Sequence, residues 1–385
     1  MKIVFTGVGL GGHFYPIIAI AQAVNQIRTE HHISNIDMYY FSDTDSDAKS
    51  LLLNNLQFVS IVSGKRRTKE QTQNSLSAKI HNLLDLFKLG IGSIQAFFKI
   101  LFLYPDVVFS KGGYGSFPTL LAARILRIPL IIHESDSVPG RVSVWSGKFA
   151  QLIALSFKEA LEYFPGQEEK IAHTGQPILR ELLSPTKLGS YEFLDLDENI
   201  PIIFVVGGSQ GAAPINSVLE KILPELLHKY QIIHQVGENN IKEYKKITDS
   251  ILSEHPHQDR YKQFDILNTL AMKMTGGVSN LVISRSGSGL FEIAAWGTPS
   301  ILIPYRFAHS DHQRKNAFNY ARSGACVVIE EKNCTPNVLL SEINRIMSDK
   351  NVYQKMQDGT KEFFIPNAAN KIASELIRIC LEHEK

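Results

Sequence analysis

A chain of 385 residues that is 44% hydrophobic and 20% charged has ordinary globular composition and is long enough for two domains, each burying its own core. Its net charge of +2 excludes a globally basic nucleic-acid binder, and no nucleic acid is expected as a partner. The three cysteines, Cys326, Cys334 and Cys380, show neither metal-ligand spacing nor an even disulfide framework, which points to a reducing compartment such as the cytoplasm.

Met1 leads directly into a strand over Lys2 to Thr6, with no signal-like n-region and cleavage site. No stretch offers about eighteen uninterrupted apolar residues, so nothing is expected to span a membrane. Gly7-Val8-Gly9-Leu10-Gly11-Gly12 then precedes a helical pattern through Ile17, Ile18, Ala21 and Val24, which makes strand, glycine loop and helix. The loop satisfies G-x-G-x-x-G, and Asp43 after the next strand is a candidate ribose acid, so a nicotinamide-dependent oxidoreductase stands as one reading. His13 follows the glycines at a helix start, where the positive end of the dipole disfavours the protonated ring. It is a candidate base, or else a histidine bonding a nearby carbonyl.

Lys65, Arg66, Arg67 and Lys69 precede a segment from Lys79 to Phe102 in which Leu83, Leu84, Phe87, Ile91, Ile94, Phe97 and Phe98 recur at largely helical spacing. A core-facing helix beside a solvated charge run is one reading. The excess of large apolar side chains among basic ones favours a segment at a membrane interface. Asp106 to Ser110 reads as a strand, Lys111 to Ser116 as a second glycine turn, and Thr119 to Leu126 as a helix. Pro129 to His133 is again a strand, ending in His133-Glu134-Ser135-Asp136, and parallel α/β sheets place their sites at such strand ends. Asp136 has the alternative role of capping the following turn.

From Pro177 to Asn199 the pattern weakens into a polar stretch, read as the boundary between residues 1–177 and a second domain. Pro201 to Val206, Gly207 to Gly211 and a helix carrying Asn216 repeat strand, glycine loop and helix. Gln231 to Val236 is a further strand, followed by mostly helical pattern up to Asn280. Asn280 to Pro304 repeats the unit once more: a strand to Ser284, the turn Arg285-Ser286-Gly287-Ser288-Gly289, a helix and a strand. An anionic diphosphate suits the free N–H groups of that helix start. Glu292, one turn inside, is placed to accept from a ribose or simply to complement the dipole. Arg306 to Asn316 is rich in side chains that bond sugar hydroxyls, and Asn367 to Glu384 reads as one amphipathic helix.

The motifs GVGLGGH, SKGGYGSFP, HESDSVPG, VVGGSQGA, SRSGSGLFEIAAWG and SDHQRKNA, in this order across nearly the whole chain, resemble one family. It is the UDP-N-acetylglucosamine:N-acetylmuramyl-(pentapeptide) pyrophosphoryl-undecaprenol N-acetylglucosamine transferases of peptidoglycan synthesis. The resemblance implies an α/β glycosyltransferase-B fold: two doubly wound Rossmann-like domains facing a cleft, 1–177 plus 367–385 for the lipid I acceptor and the membrane, 178–366 for the UDP-sugar. It places diphosphate binding on Ser288, Gly289 and Leu290, the ribose acid on Glu292, and sugar contacts on Ser209, Gln210, Asn216, Gln313 and Asn316. Ile266 and Arg285 join the donor side. On the acceptor side it places His13, Tyr114, Glu134 and Asp136, with Gly11, Gly12, Gly112 and Gly113 in the phosphate-binding loops.

The chemistry so implied is an inverting displacement in which the muramyl 4-hydroxyl attacks the anomeric carbon as UDP departs. His13 is the expected base and Asp136 the alternative. Glycine-loop amides would hold the leaving diphosphate, and neither a cofactor nor a metal is expected. The partners expected are UDP-N-acetylglucosamine, undecaprenyl-linked lipid I and an anionic membrane surface, with the protein peripheral on the cytoplasmic face. Other readings are a different UDP-sugar enzyme of the same fold acting on a lipid acceptor, and a non-catalytic membrane-associated sugar-nucleotide binder, which would need no base.

Overall fold

The computed structural model describes residues 1–8, 11–33, 35–64, 76–208 and 211–383, the side chains of 76–82 and 383 excepted. The chain divides into two compact units, Met1–Leu179 with Asn367–Lys385, and Arg180–Pro366. The basic group at Lys65, Arg66, Arg67 and Lys69 lies outside the described residues, as does the Lys79 side chain.

The first unit runs β1 (Lys2–Thr6), α1 (Phe14–Glu30), β2 (Asp37–Ser42), α2 (Ala48–Leu53), β3 (Leu56–Ser60), α3 (Leu76–Leu103), β4 (Val107–Ser110), α4 (Phe117–Ile125), β5 (Leu130–Glu134), α5 (Arg141–Gly147), β6 (Leu152–Leu155) and β7 (Ile171–His173). Its parallel sheet has the order β3-β2-β1-β4-β5-β6-β7. Ile3, Val4 and Phe5 are all fully buried, as expected of a central parallel strand covered on both faces. Val4 lies opposite Tyr39 on one side and Val108 on the other, so the winding direction reverses between β1 and β4. The connections after these two strands leave in opposite directions and open a crevice at their C-terminal ends. The C-terminal helix (Ala368–His383) belongs to this unit and packs on α1, burying Ile372, Ala373 and Leu376.

Strands β3, β6 and β7 were not expected from the sequence. β3 and β7 are the short edges of the sheet and lack a fully apolar pattern, while Leu152–Leu155 is a buried run too short to separate strand from helix. Leu83–Leu103 is long and apolar enough to cross a membrane by length and composition, although Asp85, Lys88 and Lys99 interrupt its apolar run. Its inner side is nonetheless committed to the sheet. Ala96 and Ile100 are fully buried in the core, Gln95 accepts from the Val62 N–H at 2.9 Å, and Lys99 Nζ donates to the Ser60 carbonyl at 3.0 Å. The outer side carries exposed Phe87, Ile91, Ile94, Phe98 and Phe102, the last at 83% exposure.

The second unit runs α6 (Arg180–Leu183), α7 (Ser190–Leu194), β8 (Ile202–Val206), α8 (Ala213–Leu227), β9 (Gln231–Gln235), α9 (Ile241–Leu252), β10 (Tyr261–Phe264), α10 (Thr269–Val278), β11 (Leu281–Ser284), α11 (Gly289–Trp296), β12 (Ser300–Leu302), α12 (His312–Ala321), β13 (Cys326–Val328), α13 (Pro336–Ser348) and α14 (Lys350–Phe363). Its parallel order, β10-β9-β8-β11-β12-β13, reverses between β8 and β11. The stretch expected to be a polar boundary holds α6 and α7. Leu182 and Leu194 are buried, and Trp296 Nε1 donates to the Leu182 carbonyl at 3.0 Å, so this segment is part of the second unit's core rather than a linker.

Candidate active site

In the first unit the loops after β1 and β4 nest together. Gly113 sits at φ +85°, where side-chain-bearing residues are strained, and a Cβ there would lie 2.0 Å from Val8 Cγ2. This close approach brings the start of α1 to the β4 turn, so that His13 Nδ1 lies 3.1 Å from the Lys111 carbonyl. A carbonyl only accepts, so in the neutral ring the proton is on Nδ1 and Nε2 is the basic nitrogen. The two readings of His13 from sequence are therefore compatible: bonding a carbonyl is what orients it.

Glu134 ends β5 and is buried. Its Oε1 accepts from the Asp136 N–H at 3.2 Å and its Oε2 from the Gly140 N–H at 3.1 Å, so the carboxylate holds the turn that presents Asp136. Burial and then the Asp136 charge push its carboxyl up, opposed by Lys111 and by hydrogen bonds from Ser143 and the Asp136 N–H. Asp136 itself is half-buried. Tyr114 opens a single 3₁₀ turn, Tyr114–Ser116, directly after Gly112 and Gly113, both at positive φ. Gly11, at φ +67°, precedes Gly12 in the facing loop.

In the second unit the corresponding position is the turn after β11. Ser286 is fully buried and donates from Oγ to the Gln313 carbonyl at 2.7 Å, while Asn316 Nδ2 donates to the Ser286 carbonyl at 3.2 Å. The turn is thus tied to the start of α12. Gln313 Oε1 accepts from the Tyr305 N–H at 3.0 Å. Arg285 pairs with Glu331 at 2.6 Å, donates to the Ile303 carbonyl at 2.9 Å and lies over the Tyr305 ring. Ser288 is the N-cap of α11, Gly289 and Leu290 open it, and Glu292 stands in its first turn. Burial pushes the Glu292 carboxyl up to about 7.

At the end of β8, Gly208 and Gly211 adopt positive φ on either side of Ser209 and Gln210, which lie outside the described residues. Asn216 is buried beneath this loop with both ends of its amide bonded, Nδ2 to the Val236 carbonyl at 3.2 Å and Oδ1 to His234 Nε2 at 3.1 Å. Ile266 is exposed just past β10. Among the described residues no group of three or more His, Cys, Asp or Glu is placed to hold a metal ion.

Residues 3–155 match the Glycosyltransferase family 28 N-terminal domain and residues 202–372 the C-terminal domain of the same family. The chain belongs to glycosyltransferase family 28. It is 33% identical over 383 residues to the UDP-N-acetylglucosamine–N-acetylmuramyl-(pentapeptide) pyrophosphoryl-undecaprenol N-acetylglucosamine transferase of Natranaerobius thermophilus, covering 98% of this chain and 99% of that one. It is 31% identical to the transferase of the same name from Trichodesmium erythraeum, covering 100% of this chain and 93% of the relative. Among solved structures, MurG of Acinetobacter baumannii superposes with a TM-score of 0.71 at 23% identity, covering 98% and 99% of the two chains. MnaA of S. aureus, solved with UDP, gives 0.71 at 14% identity, covering 100% and 98%, a likeness of fold alone. The fold of this glycosyltransferase is of the glycosyltransferase-B type, and the chain is an enzyme of peptidoglycan synthesis.

Within each unit of the glycosyltransferase the structure gathers the sequence candidates at the sheet's reversal point. His13, Gly112, Gly113, Tyr114, Glu134 and Asp136 collect at the ends of β1, β4 and β5; Arg285, Ser288, Glu292, Gln313 and Asn316 collect after β11 and at the start of α12. Asp43, the ribose acid of the oxidoreductase reading, instead accepts from Ser63 Oγ at 2.8 Å. Sequence reading passed over Lys111 and Ser286. Lys111 is 1% exposed, and the only signal for it was a cation between a short apolar strand and a glycine pair.

Proposed function

We propose that this chain transfers N-acetylglucosamine from UDP-N-acetylglucosamine to the 4-hydroxyl of the muramyl sugar of undecaprenyl-pyrophosphoryl-N-acetylmuramyl-pentapeptide, lipid I, forming lipid II with inversion. The observation that carries this is a near-full-length relationship to transferases of that name, together with a strand, turn and helix site in each unit. The first unit takes the acceptor and the second the donor. His13 Nε2 removes the hydroxyl proton, the hydroxyl oxygen bonds the anomeric carbon, and the bond from that carbon to the diphosphate breaks as UDP leaves. The amides of Ser288, Gly289 and Leu290 at the start of α11 bind the diphosphate, and Glu292 accepts from the ribose. Asn216 and Asn316 act by holding their loops, since their amides are bonded in the fold.

The protein docks peripherally on the cytoplasmic membrane face through the outer side of α3, where exposed aromatic and aliphatic side chains follow a basic segment. The test is to incubate the protein with a lipid I analogue and a panel of UDP-sugars. Disaccharide formed selectively from UDP-N-acetylglucosamine is the expected product; its absence with every acceptor, or equal use of other UDP-sugars, overturns the reading.

A further inference from the structure

A cluster of polar groups lies buried under the first glycine loops, beside the groups that carry the reaction just described. Lys111 Nζ donates to Ser135 Oγ at 2.5 Å, Ser135 Oγ donates to Gln176 Oε1 at 2.6 Å, and Ser156 Oγ donates to the same oxygen at 2.9 Å. His133 Nε2 lies 3.1 Å from the Gly175 carbonyl and 3.2 Å from Ser156 Oγ. All these side chains are buried. A fully buried ammonium with a neutral hydroxyl as its hydrogen-bond partner is costly unless anions lie near. Ser135 stands between the two acids of the site, Glu134 and Asp136. The titratable groups that reach the ammonium are these two, from the end of β5 and the turn after it, and His133 from β5 itself; His13, from the start of α1, meets Lys111 through its carbonyl.

We propose that Lys111 is the positioning residue of the acceptor site, its ammonium the buried counter-ion of the Glu134 and Asp136 carboxylates and its carbonyl the group that fixes the His13 ring. One residue thereby governs both candidate bases. The buried charges act in the same direction: burial lowers the Lys111 pKa and the two acids oppose that fall, while Lys111 opposes the rise of Glu134. With the cation gone, both acids hold protons to higher pH. A hydrophobic residue at 111 would keep the backbone contact to His13 and remove only the charge, so the two functions are separable.

The inference rests on the proposed transfer reaction for its kinetic test. In Lys111→Met the acidic limb of the pH profile of kcat/KM should move to higher pH by about one unit or more, the scale of a lost neighbouring charge, with the KM for UDP-N-acetylglucosamine unchanged. A merely structural lysine would lower turnover at all pH values alike, and that result overturns the proposal. A second readout does not need the reaction. Thermal unfolding of the parent, Lys111→Met, Asp136→Asn and the double variant should show Lys111→Met costing less when Asp136 is already neutral; additive effects overturn the proposal. Should Lys111→Met alone fail to fold by circular dichroism, a folded double variant supports the counter-ion role and an unfolded one overturns it. If the parent makes no disaccharide while the unfolding cycle shows coupling, the transfer reading fails and the counter-ion stands.

Discussion

His13 and Glu292 each do what their immediate surroundings dictate. The Lys111 carbonyl accepts a hydrogen bond from His13 Nδ1–H and leaves Nε2 as the base. His13→Ala should therefore lower kcat by roughly 10²- to 10⁴-fold, the range for lost general-base catalysis, while calorimetric UDP affinity stays at the parent value. Near-parent turnover would move the base to Asp136. Glu292 carries its carboxyl at about 7, raised from 4.5 by burial. The group is thus mostly protonated in the free protein below neutrality, and the ionised form that best accepts two ribose hydroxyls grows in as pH rises through about 7. UDP affinity should increase from about pH 6 to about pH 8 in the parent and stay flat in Glu292→Gln. Glu292→Ala should weaken UDP by about 1.5 to 3 kcal/mol at the higher pH. The linkage to stability has the opposite sign: with the folded pKa above the unfolded one, charging costs more in the fold, and the contribution of Glu292 to stability falls between about 4.5 and about 7.

At the scale of elements, the nested glycine loops and helix α3 carry the expectations. Gly113→Ala meets both a positive φ and the Val8 side chain, so unfolding in denaturant should show a loss of about 1 to 3 kcal/mol. Adding Val8→Ala should return only part of it, because the backbone strain stays. Helix α3 has two faces with different work. Ala96, Ile100, Gln95 and Lys99 bind it to the sheet, whereas Phe87, Ile91, Ile94, Phe98 and Phe102 form an outward stripe at spacings of three and four. Replacing Phe87, Ile94 and Phe98 by Ser should leave the melting temperature almost unchanged and abolish the salt-insensitive part of binding to anionic vesicles. Reversing Lys65, Arg66 and Arg67 to Glu should remove the salt-sensitive part, about 1 kcal/mol per basic residue. Equal sedimentation of parent and variants with vesicles would refute the docking face.

For the whole molecule, the C-terminal helix is the element whose place in sequence and in space differ most. It follows the second unit along the chain and buries Ile372, Ala373 and Leu376 in the first. Truncation after Pro366 uncovers the apolar side of α1 at a cost of several kcal/mol, since each such side chain is worth about 1.5 to 3. The first unit should then unfold at lower temperature, while UDP titration of the truncated chain should still report binding by the second. Loss of UDP binding on truncation would contradict the assignment of the donor to residues 180–366.

Much of this architecture is local in origin and so was legible in the chain. A buried parallel strand followed by glycine and a helix is visible wherever strand, turn and helix are contiguous, which is why β1, β4, β8 and β11 and the turns after them were read from residues alone, and why the order of motifs led to the family. Edge strands β3 and β7 were not legible, because a short edge strand that stays partly exposed carries no buried apolar run of its own. Helices α6 and α7 were hidden because only the packing of Leu182 and Leu194 makes a polar stretch part of a core. The chemistry of the site divides in the same way. His13, Glu134, Asp136 and Glu292 could be named from spacing, whereas the partner that orients His13, the lysine beneath the acids and the burial that raises Glu292 come from residues 98 apart, 24 apart and scattered through the sheet. Residue identity determined which groups could act; the reversal of strand order, a long-range property of the folded sheets, decided which of them meet and in what state of protonation.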